Sequence, residues 1–190
     1  MSFDDERVRF YFRHREQIEQ WAALRSEAAA AVDEWMTQLA PDIEELAKSL
    51  GPDVRVRAIT SADQAYPSYR LTRASWGFGD ADDPPACVAL EWLRARTTMR
   101  GGSTPYVGLR ATKTHPVGAT LRASEQVRQA RLARKDNASA WWVAYAYVMP
   151  AADFPSGADG YRDALRDALR AVWEAYATNV DIACREQPPR

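Results

Sequence analysis

Ala86-Cys-Val-Ala-Leu-Glu-Trp-Leu-Arg-Ala-Arg-Thr97 is the stretch on which the fold turns. It begins apolar on both faces, the pattern of a strand inside a covered sheet, and its arginines come only as it runs out to solvent. One carboxylate, Glu91, stands in its middle.

The runs on either side extend the sheet. Val54-Arg-Val-Arg-Ala-Ile59 alternates with period two, and Tyr69-Arg-Leu-Thr-Arg-Ala-Ser-Trp76 does so less cleanly. Tyr106-Val-Gly-Leu-Arg-Ala-Thr112 follows the central stretch, after Met99-Arg-Gly-Gly-Ser-Thr-Pro105, whose glycines suit a hairpin turn. Gly77-Phe-Gly-Asp-Ala-Asp-Asp-Pro-Pro85 reads as a turn or loop. Short links between consecutive strands imply antiparallel pairing, hence a four-strand meander. A fifth strand is expected over 140–149, rich in aromatics and closed by Pro150.

Helices flank this layer. Residues 4–39 read as one long helix or two joined by a kink, with Asp4, Asp5 and Glu6 in the first turn, where the helix dipole favours anions. Tyr11, His14, Ile18, Trp21, Arg25, Ala28, Val32, Trp35 and Leu39 alternate by three and four, predicting a seam buried against the sheet. Pro41 opens a short second helix over 42–50, which Gly51-Pro52 stops. Residues 121–135 predict a basic helix. Residues 159–184 predict a last helix with Tyr161, Leu165, Leu169, Val172, Tyr176 and Val180 on one stripe. The order α-α-β-β-β-β-α-β-α makes this a single α+β domain over 1–190, an antiparallel sheet of about five strands packed on one face by the long N- and C-terminal helices.

Composition narrows the function. Hydrophobic residues at 46%, charged residues at 27% and a net charge of −1 describe a globular protein without a global field toward nucleic acid or acidic membrane. The charge is uneven: residues 1–52 carry six basic and eleven acidic side chains (net −5), and residues 53–113 nine and six (net +3). Two cysteines, Cys87 and Cys184, make no disulfide framework or zinc module. The acidic start, Ser2-Phe-Asp-Asp-Glu-Arg7, is unlike a signal peptide, and the longest apolar run is about half a bilayer span. A cytoplasmic protein without a membrane partner is the expectation.

Motifs for catalysis are weak. His14 and His115 lie too far apart in sequence to suggest a shared metal site. Asp80, Asp82, Asp83 and Glu91 mimic a calcium loop, but Pro85 occupies the position that needs glycine. Gly101-Gly102-Ser103-Thr104 lacks the lysine of a phosphate-binding loop. No cofactor or metal is expected. Glu91 in a covered strand needs a partner or a raised pKa; pairing with Arg73 or Arg110 competes with a general acid or base role. His115, beside Lys113 and two threonines, is a candidate ligand contact.

The remaining pattern is arginine interleaved with aromatics. Arg73, Trp76, Glu91, Trp92, Arg94, Arg110 and His115, extended by Arg128 and Arg131, form the candidate binding set. Seven tryptophans and eight tyrosines exceed the needs of such a core, and the first helix outruns a sheet it would cover. The expected function is non-enzymatic binding, through the sheet face or a self-association surface in a homo-oligomer. A nucleic-acid accessory protein and an enzyme using Glu91 are the alternatives.

Overall fold

The computed structural model describes residues 5–77, 84–94, 105–112, 114–148 and 157–186. Five strands form one sheet in the order β1-β2-β3-β4-β5, every neighbouring pair antiparallel. They are β1 (Val54–Ile59), β2 (Ser68–Arg73), β3 (Ala86–Glu91), β4 (Tyr106–Ala111) and β5 (Trp142–Tyr147). The helices are α1 (Glu6–Thr37), α2 (Ala40–Leu50), α3 (Pro116–Ala123), α4 (Glu125–Arg134) and α5 (Gly157–Glu186). The expected α+β architecture and element order are present, with the helical stretch between β4 and β5 divided in two.

The division has a local cause. His115 caps α3 by accepting the Val117 amide at Nδ1 (3.2 Å), with Pro116 at the first helical position. Ser124 then leaves the helical region at ψ 124° and accepts the Val127 amide as the cap of α4. Serine is a good cap and a poor helix-interior residue, so one predicted helix becomes two.

The central strand is buried at every position, as its apolar beginning requires. Ala86, Val88 and Leu90 face the main core with Tyr69, Leu71, Val107 and Leu109, beneath α5 and α2. Leu165, Leu169, Val172, Trp173, Tyr176 and Val180 fill that core from α5. β3 ends at Glu91 rather than Thr97. Trp92 and Arg94 then donate backbone hydrogen bonds to Pro67 and Ala65 (both 3.1 Å), and residues 95–97 lie outside the described set. β2 likewise stops at Arg73, where residues 74–76 turn into one 3-10 turn ended by Gly77 at φ +84°.

The N-terminal helix departs most from expectation. Its predicted seam is not buried against the sheet: Tyr11, Trp21 and Val32 are exposed, and burial begins only at Met36 and Leu39, with Trp35 packed beside them. His14 is not a core residue. It breaks the helical geometry (φ −117°, ψ 17°) and lies against Phe10, ring centroids 4.5 Å apart. The apolar spacing is real, but arginines at 7, 13, 15 and 25 and glutamates at 16 and 19 leave no continuous dry face to hold it down.

The last turn of α1 is anchored firmly. The Tyr69 hydroxyl donates to the carbonyls of Met36 and Thr37 (2.9 and 2.8 Å), satisfying acceptors that a helix end leaves orphaned. Trp35 stacks on Tyr161 of α5 with centroids 5.6 Å apart. Asp33 accepts from the Trp92 indole (3.0 Å) and from Arg94. Before Asp33 the helix leaves the body of the protein: from Glu6 to Val32 no residue is buried.

Candidate functional site

Two surfaces compete for the working part, and side-chain direction decides between them. Alternation along the strands puts Arg55, Arg57, Arg70, Thr72, Cys87, Ala89, Glu91, Tyr106, Gly108, Arg110, Trp142, Tyr145 and Tyr147 on the sheet face turned away from α5. Register aligns them in rows. One row runs Arg57, Arg70, Ala89, Gly108, Tyr145; the next runs Ile59, Ser68, Glu91, Tyr106, Tyr147.

This second face is largely closed. Ser68, Thr72, Cys87 and Ala89 are fully buried, and Arg70, Glu91 and Trp142 nearly so. Tyr106, Trp142 and Tyr145 pack edge-on or tilted over Cys87 and Ala89, with centroids 5.1 to 6.2 Å apart. Tyr106 donates its hydroxyl to Glu91. Burial first, and the adjoining carboxylate second, raise the Tyr106 pKa well above the ordinary phenol range. Glu91 thus accepts from a phenol one strand away rather than from Arg73 or Arg110. Arg110 sits at the other end of β4 over the Trp141 ring, 5.9 Å from its centroid.

The other sequence-predicted site residues are dispersed. Arg73 points to the helix side, where it pairs with Asp181 of α5 and with Asp53 (3.5 Å) and lies over the Trp173 ring. Trp76 is buried, stacks on Trp173 and donates its indole N–H to Asp181 (2.6 Å). Trp92 is buried against Tyr69. Arg94 does not run to solvent. It donates to Asp33 and to the carbonyls of Thr60, Ser61 and Gln64 at 2.7 to 2.8 Å, pinning the β1–β2 connection to the end of α1. His115 is a helix cap. Arg128 is paired with Glu125 three residues earlier, and Arg131 lies in the last turn of α4. Of the candidate set, the second face gathers only Glu91 and Arg110. Asp80, Asp82, Asp83, Arg96, Lys113 and the Gly101–Gly102 turn lie outside the described residues.

The second surface is α1. Phe10 (58% exposed), Phe12 (56%), Trp21 (68%) and Leu24 (61%) are held out in solvent with Tyr11 and Val32. At 1.5 Å per residue, residues 6–32 extend about 40 Å. Charge divides along this length. Residues 6–15 hold four arginines and one glutamate (net +3); residues 16–34 hold five acids and one arginine (net −4). Sequence reading found the ring-bearing positions 11 and 21 but assigned them to a core. The overlooked signal was the crowding of Phe10, Tyr11 and Phe12 around more than one side of the helix, which no single sheet can cover.

Among the described residues no three His, Cys, Asp or Glu side chains are grouped as a metal site, and no helix is long and apolar enough to cross a membrane. No family model, curated protein or solved structure matches this chain.

Proposed function

We propose that this chain is a cytoplasmic, non-enzymatic interaction protein whose working part is α1, with the sheet and remaining helices as its support. The observation that carries this reading is the exposure of Phe10, Phe12, Trp21 and Leu24 on a helix whose buried residue, Met36, lies in its last turn. Large apolar side chains set together on a surface mark protein contact, and aromatic anchors contribute most of the energy in such contacts. The sheet face fits the role less well, because its small residues are closed over by the protein's own rings. Nucleic-acid binding through the candidate set is less well supported, because three of its five arginines, Arg73, Arg94 and Arg128, already lie beside carboxylates.

A photo-crosslinking amino acid at Trp21, introduced in the producing cell, tests the role. The expected result is one discrete adduct that disappears when Phe10 and Leu24 become serine. An adduct pattern equal to that from a crosslinker at exposed Ala58 on β1 would overturn it.

A further inference from the structure

The reading of α1 as a docking helix leaves its occupant open, and the inference here rests on that reading. We infer that the occupant is α1 of a second copy of this chain, running antiparallel, with a two-fold axis near Gln20. Three features of the helix fit themselves in that arrangement. The first is charge. An antiparallel pair lays the net +3 segment, residues 6–15, on residues 25–34 of its partner, which carry net −2, whereas a parallel pair sets like charge on like. The second is size. With the axis near Gln20, residue i comes level with residue 40 − i, so the segment of Phe10, Tyr11 and Phe12 runs alongside the alanines at 28–31 of the other copy, and the ring turned toward the partner meets small side chains. Rings against alanines let two helices approach closely, and the apolar residues are otherwise exposed at both ends.

The third is register. The same spacing brings Arg13 level with Glu27, opposite charges that meet once on each side of the axis, against the like pairs Arg15–Arg25 and Glu6–Glu34. One patch therefore contacts its own copy twice, the self-complementarity that a two-fold dimer requires. An anionic membrane suits the helix less well, because residues 16–34 carry net −4.

The test uses the full chain. Sedimentation velocity from about 1 to about 200 µM is expected to show a monomer becoming a dimer. Arg13→Glu is expected to weaken the dimer about tenfold, and adding Glu27→Arg to restore it, because the swapped pair meets across the axis. Orientation is read with a short bis-maleimide on Val8→Cys and Val32→Cys, Cys87 and Cys184 being buried and silent. Neither variant alone should cross-link, since like positions lie roughly 36 Å apart along the antiparallel pair, and their equimolar mixture should.

A chain that stays monomeric throughout overturns the pairing. So does cross-linking in each single-variant sample without gain on mixing, which means parallel helices, and so does monomeric binding to vesicles of anionic phospholipid. These outcomes separate from failure of the docking role itself. A Trp21 adduct whose mass is not twice that of the chain keeps the role and removes the self-pairing, while no specific adduct removes the role.

Discussion

Asp181 shows how a surface-looking acid becomes structural. It lies on the exposed-looking side of the final helix stripe, yet it accepts from the Trp76 indole and pairs with Arg73, which also lies over Trp173. Removing it leaves a buried indole N–H without an acceptor and Arg73 with only the longer contact to Asp53. Asp181→Ala is therefore expected to lower unfolding free energy by about 2–3 kcal/mol in urea titration. Glu91 follows the same logic on the opposite face. Glu91→Ala and Tyr106→Phe should each destabilise by about 1–3 kcal/mol, and the double variant should lose less than their sum, because the Tyr106–Glu91 hydrogen bond is lost in both single changes. An additive double variant would show that the two side chains stabilise the fold independently.

Individual elements were legible wherever the pattern reported local chemistry. The alternation of 54–59 gave β1 its true bounds, and the doubly apolar start of 86–97 marked the central strand. Boundaries failed where the chain spends a good strand-forming residue on something else, as Trp92 does in capping Asp33. The site was far less legible. Arg73, Trp76 and Arg94 belong to the right residue types, but whether an arginine meets a ligand or an aspartate depends on elements more than 60 positions away in sequence. The β4–β5 pair makes a prediction at this scale. A Cβ on Gly108 would stand 2.2 Å from the Ala144 carbonyl oxygen and 2.8 Å from Tyr145, backbone that cannot swing aside. Gly108→Ala is expected to cost more than about 2 kcal/mol and to weaken amide exchange protection in β5 before β1. For α1 the opposite holds. Trp21→Ser with Leu24→Ser should leave the melting temperature within about 2 °C of the parent under monomeric conditions, because neither side chain reaches the core.

At the scale of the whole molecule the core is unusual in its buried phenols, and that sets its response to alkali. Burial pushes the Tyr69 pKa up to about 12, and Tyr161 likewise, since each would have to ionise away from water. Tyr176 is raised too, by burial and then by the Asp136 carboxylate to which it donates at 2.7 Å, and the Cys184 thiol is pushed up to about 11. In each case the folded pKa lies above the unfolded one. Between the two values the folded protein holds more protons than the unfolded chain, so stability falls as pH rises. The stabilisation is complete below about pH 9 and drains away first through Cys184 and then through the tyrosines, toward pH 12. Melting temperature should therefore fall steadily across that window rather than stay level. Cys184→Ser should flatten its lower end, and Tyr161→Phe, which removes an ionisable group from a stacked position on Trp35, its upper end. A melting temperature unchanged from pH 9 to pH 11.5 would mean that these groups titrate as they do in water, and that the interface between α5 and the sheet is open to solvent.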